Sequence, residues 1–306
     1  MIELLILAAV SIVVGVVWTL VVRAMPHADP AEAASERVAS GLEERGRARR
    51  FLRARLDPRA VTGLGLTLAL VALAVVGVVF GVLVAMIRQG SGVVHIDQAV
   101  TRWAASNDTA GSQRVLGWIT FLGSTIGVVA AALAVTIYGV ARWRRWSIAL
   151  FMFVVVAGQF ALSNAVKAAV GRVRPDAPPL HVLHGPSFPS GHATAAAATL
   201  TAVALVLGRG ASPRRRAVLA GSAAAAAVAV ACTRVFLGAH WTSDVVGGLL
   251  LGWTWFGVCA VAFGGRILRL GQPAEEAAGR GPSSFVDRSG RAQPNRRTPA
   301  GRSPRR

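Results

Sequence analysis

Seven apolar stretches constrain this chain more than any other feature: roughly 4–22, 64–87, 116–141, 148–166, 193–207, 218–232 and 245–263. Crossing about 30 Å of hydrocarbon takes about 20 apolar residues in a helix. Within lipid the backbone has to satisfy its own hydrogen bonds, so runs of this kind fold as helices and not as open sheets. The expected fold is therefore all-α: a polytopic membrane protein with a six-helix core and one extra N-terminal transmembrane helix. A hydrophobic share of 54% and a mean hydropathy of +0.53 put the chain outside the range of ordinary soluble domains. Stretches 193–207 and 218–232 are short as counted and are expected to gain a turn or two from flanking polar residues. The first stretch carries Glu3 with no basic residue ahead of it and is long for a signal peptide, which makes it a retained anchor.

Charge sets the topology. The chain has 33 Lys and Arg against 14 Asp and Glu, a formal net charge of +19. The arginines sit in short runs between apolar stretches, a pattern of topology signals and anionic-lipid contacts, so no nucleic-acid partner is expected. With the N-terminus outside, segments 23–60, 142–146, 209–216 and 265–306 become cytoplasmic and hold nine, three, four and ten of the 33 basic residues. That asymmetry predicts an inner (plasma) membrane protein with a cytoplasmic C-terminus. The chain then divides into an anchor (1–22), a basic cytoplasmic helix touching anionic lipid (23–60), a six-span domain with an outward-facing site (61–265) and a disordered basic tail (266–306). Segment 88–115 has Val93, Ile96, Val100 and Trp103 at near-helical spacing, which predicts an amphipathic helix in the interface. Trp143 and Trp146 suit the headgroup level, and Gly248 with Gly252 predicts tight helix packing. Cys232 and Cys259 fall inside apolar stretches, which argues against a disulfide framework.

Seven basic residues remain on the outer side, where the charge rule disfavours them. Four of these, Lys167, Arg172, Arg174 and Arg234, lie at the ends of the fourth and sixth stretches, and Lys167 is the only lysine in the chain. Charges at membrane depth are costly and tend to be functional. His192 and His240 open the fifth and seventh stretches on the same side. In Phe188-Pro189-Ser190-Gly191-His192, Ser190 is a suitable helix N-cap and Gly191 permits close approach to the free N–H groups of a helix start, which favour an anion. Lys167 and Arg174 are seven apart, two helical turns, and share a face if the helix persists until Pro175 ends it. Asp244 follows His240 by four residues, so a carboxylate can orient the imidazole. Two histidines, an aspartate, three strong cations and a helix N-terminus make a phosphoryl-transfer site that calls for no metal and no cofactor. A metal held by His192, His240 and Asp244 would face three cations.

These residues resemble the type-2 phosphatidic acid phosphatase (lipid phosphate phosphatase) superfamily. Its three-part signature is matched by Lys167…Arg174-Pro175, by Pro189-Ser190-Gly191-His192 and by Thr233-Arg234…His240…Asp244, with Thr233 replacing a serine. The likeness covers roughly residues 64 to 264. It implies that Lys167, Arg174, Arg234, Ser190 and Gly191 bind phosphate, that His240 is the nucleophile oriented by Asp244, and that His192 is the general acid. The implied activity is metal-free hydrolysis of a lipid phosphomonoester or diphosphate through a phosphohistidine. Undecaprenyl diphosphate, phosphatidic acid and phosphatidylglycerol phosphate all fit. Arg172 matches no motif position and counts only as a rim cation; His181 and His184 belong to the loop between the first two motifs. Phosphotransfer to another acceptor and non-catalytic lipid binding remain open at this point.

Overall fold

The structure, a computed structural model, describes residues 1–24, 61–175 and 185–267. Within these residues the chain forms nine α-helices and no strand. They are α1 (Ile2–Ala24), α2 (Val61–Gln89), α3 (Val93–Asn107), α4 (Ala110–Phe121), α5 (Thr125–Trp143), α6 (Ser147–Val170), α7 (Gly191–Leu207), α8 (Pro213–Phe236) and α9 (Thr242–Ile267). The all-α reading holds. Helices α1, α5, α6, α8 and α9 each have the length and apolarity to cross a membrane, and α2 with α3 makes a sixth span if that bent pair is counted as one. Segment 25–60, the His181 and His184 loop and the tail beyond 267 lie outside the described residues.

Helix α7 is the centre. It packs on α5, α6, α8 and α9. Its sequence explains the position: Ala193 to Thr199 are all alanine or threonine, and all seven are buried. Small side chains let backbones come close, which drives association where lipid supplies no hydrophobic force between helices. On the facing helix α9, a Cβ at Gly248 would stand 2.7 Å from the Ser190 carbonyl oxygen, and one at Gly252 2.8 Å from Ala197 Cβ. This is the tight packing that the Gly248/Gly252 pair predicted. Helix α1 uses the same device on α8, where Gly15 lies against the backbone of Gly221, and Trp18 stacks on Trp253.

Two expectations need correction. The third stretch is not one helix: α4 ends at Phe121 and α5 begins at Thr125. Ser124 caps the new helix by accepting from the Gly127 N–H at 3.1 Å, and this polar turn interrupts a run whose hydropathy reads as continuous. Segment 88–115 is likewise two helices, α3 and the start of α4, with Thr109 and Ser112 forming a capping box between them. Helix α3 bends by 77° from the end of α2 through the positive-φ residues Gly90 and Gly92. Its face towards the protein carries Asp97, Thr101 and Ala104, which are buried, whereas Ile96 is 57% exposed. The interior of this protein offers Asp97 partners. Stretch 218–232 gains residues at both ends, as expected, while stretch 193–207 gains only Gly191 and His192 and ends as a 17-residue helix.

Candidate active site

The C-terminal ends of α6 and α8 and the N-terminal ends of α7 and α9 meet at one end of the bundle. Helix α6 stops at Val170, where Gly171 takes the left-handed conformation (φ 63) that glycine adopts without strain. The shared helical face proposed for Lys167 and Arg174 is therefore absent. Lys167 lies in the last turn of α6, and Arg174 comes from the extended segment after it. One carbonyl brings them together: Pro186 O accepts from Lys167 Nζ at 2.9 Å and from Arg174 Nη2 at 3.4 Å. The same segment is pinned by Ser187, whose N–H donates to Arg172 O (2.8 Å) and whose hydroxyl donates to Val173 O (3.0 Å).

The approach to α7 is anchored by Phe188, fully buried against Phe80 with ring centroids 5.4 Å apart. The Phe188–Pro189 bond is cis. Ser190 occupies the N-cap position, but its side chain makes no capping bond; Ser190 Oγ is buried without a partner among the described residues. Its backbone N–H donates to Asp244 O at 2.9 Å and so ties α7 to α9. Gly191 and His192 follow in the first turn of α7, where N–H groups lack helical acceptors. Lys167, Arg174, Arg234 and His240 are near enough to His192 to interact with it electrostatically.

Beyond α8 the chain reverses. The N–H groups of Ala239 and His240 donate to Arg234 O at 3.0 and 3.1 Å, with Gly238 at φ 64. This turn sets His240, 3% exposed, beside the first turn of α9. His240 Nδ1 lies 3.4 Å from Asp244 Oδ2, and Nε2 lies 3.3 Å from Arg174 Nη1. A carboxylate only accepts, so Nδ1 carries the proton and Nε2 keeps its lone pair. Burial pushes the His240 imidazole down to about 4, against the raising effect of the Asp244 hydrogen bond and charge, so the ring is neutral at pH 7. Burial also holds the Arg174 guanidinium below its ordinary value.

Arg234 donates to Thr120 Oγ1 at 3.2 Å, and its buried Nε has no partner among the described residues. Thr233, the departure from the motif, donates its hydroxyl to Val230 O in its own helix at 2.6 Å. Arg172 is no free rim cation: it bonds Asp97 and Asp244, both at 2.7 Å, and stands over the Trp241 ring. Sequence reasoning missed Asp97 and misjudged Arg172. The available signal was an aspartate at the start of an i, i+4, i+7 face with Thr101 and Ala104. Among the described residues no three His, Cys, Asp or Glu side chains gather as a metal-ligand set, and both Cys232 and Cys259 are free thiols.

A cavity of about 350 Å³ runs from Lys167, Gly191 and His192 between α5, α6 and α7, and is lined further on by Val128, Val129, Val156 and Phe160. One end is cationic and the other apolar. That suits an amphiphile with an anionic head.

The known proteins similar to this chain are phosphatases. Residues 148–267 match the family model described as PAP2 superfamily. The chain is 28% identical over 164 residues to phosphatidylglycerophosphatase B of Bacillus subtilis, a match covering 53% of this chain and 80% of that protein. It is 38% identical over 117 residues to lipid A 1-phosphatase of Rhizobium johnstonii, covering 35% of this chain and 43% of that one, less than half its length. It is also 36% identical over 132 residues to decaprenylphosphoryl-5-phosphoribose phosphatase of Mycobacterium tuberculosis, covering 41% and 65% of the two chains. The crystal structure of a transmembrane PAP2-type phosphatidylglycerolphosphate phosphatase from Bacillus subtilis superposes with a TM-score of 0.59 at 27% identity, over 65% of this chain and 98% of that one.

Proposed function

We propose that the chain is a PAP2-superfamily membrane phosphatase that removes phosphate from a lipid through a phosphohistidine on His240, a reading supported by the family-model match over residues 148–267 and by the similar phosphatases. The observation that carries this reading is His240 held by Asp244 at 3.4 Å, with Arg174 3.3 Å from the free ring nitrogen. Lys167, Arg174 and Arg234, with the unpartnered Ser190 hydroxyl and the Gly191 N–H, bind the phosphate oxygens and stabilise the charge that develops on them. His240 Nε2 attacks phosphorus and forms the N–P bond as the P–O bond to the lipid breaks; His192 protonates the departing oxygen. Water then attacks the phosphohistidine, giving its proton to His192, and inorganic phosphate leaves. No step calls for a metal.

The positive-inside count supports a site on the outer face of the inner membrane, with the C-terminus and the basic segments 23–60 and 266–306 on the cytoplasmic side near anionic lipid. The apolar end of the cavity supports a lipid substrate: phosphatidylglycerol phosphate, phosphatidic acid or an undecaprenyl-type diphosphate. Burial of His240 favours a second reading, transfer of the phosphoryl group to an acceptor other than water. The test is phosphate release by the purified protein in nanodiscs with EDTA, using those three lipids and a soluble phosphomonoester. Release that survives EDTA and prefers a lipid is expected, and the rank order names the substrate. Loss of activity in EDTA would overturn the metal-free mechanism. Transfer of the label to a second lipid without free phosphate would favour the transferase.

A further inference from the structure

Asp97 belongs to α3, outside every motif that points to the site, yet it is fully buried and bonded into it. It accepts from the Ser243 N–H at 2.8 Å, from the Ser243 hydroxyl, and from Arg172 Nη2 at 2.7 Å. The other terminal nitrogen of Arg172 reaches the second carboxylate: Nη1 donates to Asp244 Oδ1 and to Ser243 Oγ, both at 2.7 Å. The second oxygen of Asp244 accepts from the Trp241 N–H at 3.0 Å and faces His240. Trp241 covers the cluster, with its ring centroid 5.4 Å from the Arg172 guanidinium and its indole N–H donating to Val173 O.

Burying three charges is costly, and a single pair would have been simpler. The charge count gives a reason for the third. Arg172 and Asp244 alone make a neutral pair, and a neutral pair does little for positive charge on a neighbouring imidazole. Asp97 returns the cluster to one net negative charge beside His240.

We infer that Asp97 and Arg172 are positioning residues for the reaction: Arg172 aims the Asp244 carboxylate at His240, and Asp97 keeps the cluster negative so that it stabilises the charge developing on the His240 ring during attack. The inference rests on His240 being the nucleophile. It also makes α3, the helix set at 77° to the end of α2, a working part of the active site.

The test compares Asp97→Asn, Arg172→Gln and the double variant of the full chain in nanodiscs, with phosphatidylglycerol phosphate as the probe and His240→Ala alongside. Asp97→Asn should lose about 10–100-fold in kcat, the scale seen when an outer partner of a metal-bound histidine is removed, with KM little changed. Arg172→Gln leaves two buried carboxylates facing each other and should lose at least as much. The double variant restores one net negative charge, so it should be several-fold faster than Arg172→Gln, a non-additive result. Wild-type kcat in Asp97→Asn, a loss confined to KM, or a double variant no faster than Arg172→Gln would each overturn the inference. Should Asp97→Asn fail to give monodisperse protein, the double variant against Arg172→Gln still decides. Activity in His240→Ala is a separate failure, that of the nucleophile assignment, and would show as such.

Discussion

Two arginines reach the same end of the bundle, Arg172 from the segment after α6 and Arg234 from α8, and they are bonded differently. Arg172 commits both terminal nitrogens to carboxylates, Asp97 and Asp244, at 2.7 Å each. Arg234 bonds the hydroxyl of Thr120, and its buried Nε has no partner among the described residues. The Arg172 donors hold the Asp244 carboxylate in place beside His240. Arg234 keeps donors open, which is what binding an anion would need. The difference teaches that residue type and rim position do not separate a binding cation from a positioning one. What separates them is how many of a side chain's donors the fold has already satisfied.

The comparison breaks most visibly at Arg234. Removing a donor that meets transition-state charge typically costs about 10²–10³-fold, so Arg234→Ala should lose that much in kcat/KM and should bind vanadate, a phosphate mimic, correspondingly less tightly. Arg172→Lys should do the opposite: kcat falls while vanadate inhibition barely moves, because one ammonium cannot bridge two carboxylates as a guanidinium does. Equal weakening of vanadate in both variants would erase the distinction.

Electrostatics sharpens the same contrast. NMR titration of labelled histidine, with His240→Ala for assignment, should place His240 near 4, held down chiefly by burial and also by Arg174 and Arg234. A midpoint near 6.5 would contradict the buried geometry. Between those two values the unfolded chain binds more protons than the folded one at this residue, so its contribution destabilises the fold as pH falls through that window. The smallest effect belongs to Thr233→Ser. The hydroxyl is tied to Val230 O within α8, so the serine of the matched signature should change kcat/KM by less than the spread seen for ordinary surface changes.

Much of this was legible in sequence because membrane helices and short motifs are local signals. The apolar runs marked the helices, and Lys167, Arg174, Ser190, Gly191, His192, Arg234, His240 and Asp244 do gather at one end of the bundle. Three features were not legible. Hydropathy averages over the turn at Ser124, so the break between α4 and α5 went unseen. A spacing of seven suggested one helical face for Lys167 and Arg174, whereas Gly171 ends the helix and the Pro186 carbonyl does the gathering. Asp97 sat among apolar residues at near-helical spacing, and only its partners Arg172 and Ser243, 75 and 146 residues away, explain its burial.

The central claim is that His240 carries the phosphoryl group, and the most direct measurement is rapid acid-free quenching of the protein mixed with ³²P-labelled phosphatidylglycerol phosphate. The account predicts a label that is acid-labile and base-stable, that maps to the peptide containing His240, and that is absent from His240→Ala. Turnover with no labelled protein at any quench time, or a label that persists in His240→Ala, would contradict it.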